Sequence, residues 1–179
     1  MNNTPITIET DEKLVPIMVY THQRLIWGKL IVKNMIRVST LLQTDMAPKC
    51  LDLAEAQVIL FGAGSETKSL KYSLLHVEID QIIAYHILPP ADESPYFEEN
   101  EQNRIMQPVT TIVGIFQFSG SIRISQQSNL KTYLGVQKGT FLPIFNVTMT
   151  CPLLPSIKGV RSPYTLVRQG EAIFSGRSS

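Results

Sequence analysis

The sharpest chemical constellation in the chain is His76-Val-Glu78-Ile-Asp80. On a β-strand alternate residues share a face, so one imidazole and two carboxylates would point the same way. That donor set suits a divalent metal ion. The same alternation also gives an ordinary solvated face over Val77 and Ile79, and this plainer reading outweighs the metal. The other two histidines, His22 and His86, stand in no recognisable motif with a Ser, Cys or Asp. Nucleophilic catalysis needs a reactive side chain beside a base, and the sequence displays no such set. Gly62-Ala-Gly64-Ser-Glu-Thr-Lys68 superficially suggests a phosphate loop. It lacks the third glycine of the dinucleotide fingerprint and the Gly-Lys-Ser/Thr ending of a P-loop, and no helical pattern follows. It reads as a hairpin loop. The chain is therefore expected to be non-enzymatic, and no cofactor is expected.

A second set of residues has a different chemistry. Arg123, Lys131, Lys138, Lys158, Arg161 and Arg168 make the C-terminal part basic. The formal charge is −1 over residues 1–88, −4 over 89–104 and +6 over 105–179. Charge segregation of this kind is the footprint of a polyanion-facing surface. Phe116, Phe118, Tyr133, Phe141 and Tyr164 lie among the cations, where aromatic rings could stack bases. The alternative is that the rings form the core and the charges are scattered. A third possibility is that the acidic stretch folds back to mask the basic half. RNA or single-stranded nucleic acid is thus one candidate partner.

The elements that must position these groups read as β throughout. VPIMVYT, RLIWGKLIV, LDLAEAQVILF, LLHVEI and QIIAYHIL are short, rich in Val and Ile, and broken by Gly, Asp or Pro. PVTTIVGIFQF, SGSIRIS, TFLPIFNVTMTC, YTLVRQ and EAIFS repeat the pattern. Residues 37–43 and 129–135 fit a strand or one helical turn. Between the two series lies PPADESPYFEENEQNR, with three prolines and five acids, which reads as a linker. Residues 1–13 are expected as a tail, 14–88 as a first small barrel, 89–107 as the linker, 108–175 as a second barrel and 176–179 as a tail.

Slid by 92 positions, the two halves match in order. Pro16 falls on Pro108, Gly28 on Gly120, Leu30 on Ile122, Val32 on Ile124 and Val38 on Leu130. After single-residue deletions Leu51 meets Leu142, Val77 meets Val167 and Ile83 meets Ile173. This is the signature of an internal duplication. A glycine inside a strand marks a bulge or sharp bend, and one at the same place in both copies suits a small curved barrel. A barrel of about 70 residues buries little surface alone, so the copies are expected to pack on each other or to pair strands edge to edge, with partner chains covering the remaining edges.

The repeated pattern stands as Gly28-Lys-Leu-Ile-Val, Arg37-Val-Ser-Thr-Leu-Leu and Leu51-Asp-Leu, then as Gly120-Ser-Ile-Arg-Ile, Asn129-Leu-Lys-Thr-Tyr-Leu and Leu142-Pro-Ile. It resembles a family of uncharacterised bacterial proteins with duplicated small β-barrels of Sm-like type. Where that family has Asp and Asn, this chain has Thr40 and Gln43, then Thr132 and Gly135. The resemblance implies an all-β fold of two tandem bent barrels and a ring-forming homo-oligomer. Sm-like proteins bind RNA at the loops after their third and fifth strands, but the Arg-Gly character of those loops is missing here. Arg168-Gln-Gly170 is a poor echo of it.

Remaining features bound the class. Charged residues make up only 17% of the chain, which suits a surface partly covered by other chains. Cys50 and Cys151 stand in no metal-like spacing and read as small buried residues. No apolar run approaches the roughly 18 residues that span a bilayer. The N-terminus lacks the basic start and apolar stretch of a signal peptide, so the expectation is a cytoplasmic protein without a membrane partner. The leading reading is a non-catalytic assembly module. Nucleic-acid binding comes next, then small-ligand or metal binding.

Overall fold

The computed structural model describes residues 8–42, 47–61, 67–91, 93, 103–155, 157 and 159–176. The fold is all-β with two short helices. Strands β1 (Glu12–Thr21), β2 (Arg24–Lys33), β3 (Cys50–Phe61), β4 (Thr67–Glu78) and β5 (Ala84–Ile87) make the first half. Strands β6 (Arg104–Val113), β7 (Phe116–Ser125), β8 (Phe141–Thr150), β9 (Val160–Arg168) and β10 (Ala172–Gly176) make the second. Helix α1 (Val38–Leu41) follows β2 and helix α2 (Leu130–Val136) follows β7. Single 3₁₀ turns, Ile79–Gln81 and Gln169–Glu171, precede β5 and β10.

All ten strands form one antiparallel sheet in the order β10-β6-β7-β8-β9-β5-β1-β2-β3-β4. The sheet is open. The last strand of the first half does not return to its own fourth strand; β5 runs between β1 and β9. The expected all-β fold takes the form of one continuous sheet carrying two apolar cores. Its outer edges are β4 and β10.

The register repeats between the halves. Glu12 faces Lys33 as Arg104 faces Ser125, an offset of 92 on both strands. The β2–β3 ladder slips between Trp27 and Lys29, and the β7–β8 ladder between Ser119 and Ser121. At each slip one glycine opposes two residues of the partner strand, which is a β-bulge. The first of those two residues, Glu55 or Asn146, has a positive φ of 50° or 51°. Cys50 faces Glu78 as Phe141 faces Arg168, so Arg168 holds the position of Glu78. Tyr20 faces Ala84 as Ile112 faces Ile173. The structural partner of Ile83 is therefore Ala172, not Ile173, because one more residue is lost before β10.

Boundaries also move. β1 begins at Glu12, inside the expected tail, and the Lys33 ammonium binds the carboxylates of Glu9 and Asp11 beside it. β6 begins at Arg104, so 104–107 is strand rather than linker. Both ambiguous segments are helical. Asn129 caps α2, its Oδ1 accepting from the Thr132 N–H at 2.9 Å.

Candidate interface at the sheet edges

The sequence-derived metal set does not assemble. β4 ends at Glu78, and Asp80 lies in the following 3₁₀ turn, so the three groups do not share a strand face. His76 turns to the neighbouring strand, with Nδ1 2.6 Å from Asp52 Oδ1. Among the described residues no cluster of three or more His, Cys, Asp or Glu side chains can hold a metal ion.

The six cations are split. Arg123 lies on the half of β7 that leads toward α2, Lys131 on α2, and Lys138 just beyond it. Arg161 faces Thr148, at the opposite end of β8 and β9. Lys158 lies outside the described residues, as do Gly62 to Glu66 and most of the acidic stretch. Arg168 is half-buried, with Nε donating to the Ile82 carbonyl at 2.7 Å and Nη2 to the Ile79 carbonyl at 2.5 Å. Its guanidinium lies 4.8 Å from the centroid of the Phe141 ring. Phe116, Phe118, Phe141 and Tyr164 are buried and Tyr133 is half-buried, so these rings are core rather than stacking platforms.

Arg168 lies at the seam between the two halves. Across the β5–β9 seam Ala84 faces Val167 and Tyr85 faces Leu166. The Arg168 N–H donates to the Ile83 carbonyl at 2.8 Å. Side chains follow the ladder. Tyr20, Leu25, Ile83 and Ala84, all from the first half, are buried in the second half's core with Val113, Phe116, Phe118 and Val167. The Tyr20 ring meets Phe116 and Phe118 edge to face, at centroid distances of 5.0 and 5.2 Å. In return Leu166, Tyr164 and Phe141 are buried in the first core. Trp27 is half-buried against the second core.

Burial shapes the titration of the seam. The Tyr20 hydroxyl lies 3.3 Å from His86 Nδ1. Desolvation pushes the Tyr20 phenol far up and lowers His86 to about 4, so both are neutral near neutral pH. Glu93 spans both halves: its carboxylate accepts from the Ser39 N–H, and its carbonyl accepts from the Tyr164 hydroxyl at 2.6 Å.

Among the described residues no strand pairs with the outer edges. β4 exposes Leu70, Tyr72 and Leu74, and the β6–β10 side exposes Ile105, Met106, Ile112 and Ile173. Under β4 lies a pocket of about 370 Å³, lined by Thr21, Arg24, Ile26, Val58, Leu60 and Val77 among others. The sequence leaves open whether the copies stack or pair edge to edge; the seam is edge-to-edge pairing, and a signal for its place exists. In Ile82-Ile-Ala-Tyr-His-Ile87 every residue is buried, so the apolar run records burial on both faces. Among the described residues no helix is long and apolar enough to cross a membrane. Comparison with protein-family models, with curated proteins and with solved structures gives no match.

Proposed function

We propose that this chain is a non-catalytic assembly module, built from two small bent units of Sm-like type, that joins further copies through its sheet edges. One observation carries the reading. The β5–β9 seam joins a fifth strand to a fourth strand, and the two open edges are again a fourth strand, β4, and a fifth strand, β10. Open edges with apolar side chains template further pairing unless something covers them. A contact between unlike edges is heterologous, and it generates rings when the rotation closes. The test is absolute mass by light scattering coupled to size exclusion, over a concentration series, with absorbance read at 260 and 280 nm. Oligomers free of nucleic acid are expected. A monomer at every concentration overturns the reading.

A nucleic-acid role is the second reading. It rests on Arg123, Lys131 and Lys138, which share the α2 end of the second half. Phosphate contacts weaken steeply with salt, so a high 260/280 ratio that falls as salt is raised would favour it.

A further inference from the structure

We propose that the pocket under β4 is a socket for the Ile112–Ile173 pair of a second copy of this chain. The inference rests on the assembly reading and names its contact. Its warrant is that the molecule already contains the same contact once, filled.

At the internal seam the inserted group is Tyr20 with its ladder neighbour Ala84, joined by Ile83. The receiving wall includes Val113, Phe116, Phe118, Met149, Cys151 and Val167. The repeated register assigns each wall residue a counterpart in the first half. Val113, Phe116 and Phe118 correspond to Thr21, Arg24 and Ile26. Met149 and Cys151 correspond to Val58 and Leu60, and Val167 to Val77. All six counterparts line the pocket under β4. The counterpart of Tyr20–Ala84 is Ile112–Ile173, a facing pair on the other edge of the sheet. Its members are 46% and 69% exposed, where Tyr20 and Ala84 are fully buried. One large and one small side chain are exchanged for two of middle size.

The register follows from the same correspondence. β10 of one copy pairs antiparallel with β4 of the next, Ile173 opposite Val77 and Phe174 opposite His76, as Ala84 and Tyr85 stand opposite Val167 and Leu166. One difference separates the two contacts. Arg168 clamps two carbonyls across the seam, whereas the residue in its place on β4 is Glu78, which has no proton to donate to a carbonyl. The contact between copies is accordingly the weaker one, and copies separate while each chain stays folded.

Four variants of the full chain test this. I112K/I173K places two ammonium groups in the socket beside the Arg24 guanidinium and should raise the midpoint concentration of assembly by at least about a hundredfold, because like charges are buried together. Its thermal transition should be retained, since both side chains are exposed in the single chain. E78R restores the clamp and should lower that midpoint by about tenfold, the worth of one charge-assisted hydrogen bond. Chains carrying H76C, mixed with chains carrying F174C, should give a covalent dimer on oxidation, because facing strand residues lie within disulfide reach. Each variant alone is the background control for Cys50 and Cys151. Oligomers that persist in I112K/I173K, or that fail to cross-link, overturn the socket while leaving edge assembly standing. A wild-type monomer at every concentration overturns both.

Discussion

Tyr20 and Phe116 meet edge to face at 5.0 Å although they belong to opposite halves of the chain. Their contact is the centre of a seam in which each half completes the other's core. Tyr20→Ala should cost about 3–5 kcal/mol, the range for removing a buried aromatic ring. Tyr20→Phe keeps the ring and removes only the group beside His86, at a cost of about 1 kcal/mol. Chemical denaturation of the pair measures both. A Tyr20→Ala loss no larger than that of Tyr20→Phe would show that the ring does not hold the seam.

Arg168 should be irreplaceable by lysine. Its two donors reach two different carbonyls, and an ammonium on a flexible stem does not reproduce that fork. Arg168→Ala is expected to cost about 2–3 kcal/mol, because charge-assisted bonds are lost and carbonyls in a half-buried site lose their donors. Arg168→Lys should recover less than half of it. Full rescue by lysine, read from denaturation midpoints, would contradict the clamp.

Acid should weaken the fold through His86. Its folded value of about 4 lies below the ordinary 6.5 of an unfolded chain. Between those values the unfolded chain binds more protons, so stability rises with pH across that window. The full penalty is present below pH 4 and absent above about 6.5, and it amounts to about 3 kcal/mol. A stability profile of wild type against His86→Gln should show the slope lost in the variant. Parallel profiles would refute the assignment.

The two bulge glycines should differ in tolerance. A Cβ on Gly120 would lie 2.6 Å from the Phe145 carbonyl oxygen and 2.8 Å from Ile144 Cγ2. On Gly28 the nearest atoms are the Ala54 oxygen at 3.0 Å and Ala56 Cα at 3.1 Å. Both alanine variants crowd backbone, but Gly120→Ala demands the larger movement and should cost about 2–3 kcal/mol, in the range of overpacked cores. Gly28→Ala should cost less. Thermal midpoints decide the order, and the reverse order would place the tighter approach in the first half.

Much of this fold is legible in the sequence because strand signals are local. Val-rich runs broken by Gly and Pro mark the segments, and Gly28 and Gly120 mark the bulges, since only a residue without Cβ permits such backbone approach. The offset of 92 between halves is likewise written in residue order. Local signals left residues 37–43 and 129–135 undecided, and buried Val38 and Leu41 show packing at work in α1. The metal set failed for a similar reason: strand alternation predicts a shared face only while the strand lasts, and β4 stops at Glu78.

What the sequence by itself determined is an all-β chain with two matching series of short strands. What only the tertiary structure decided is how the series meet. Whether β5 closes on its own half or joins β9 depends on hydrogen bonds between residues some 80 positions apart, such as Arg168 to Ile83. Backbone groups carry the same donors and acceptors at every residue, so strand pairing is chosen by side-chain fit across the ladder. Tyr20 between Phe116 and Phe118 supplies that fit at the seam. That fit sorts the four copies of edge strand into one filled junction and two open edges.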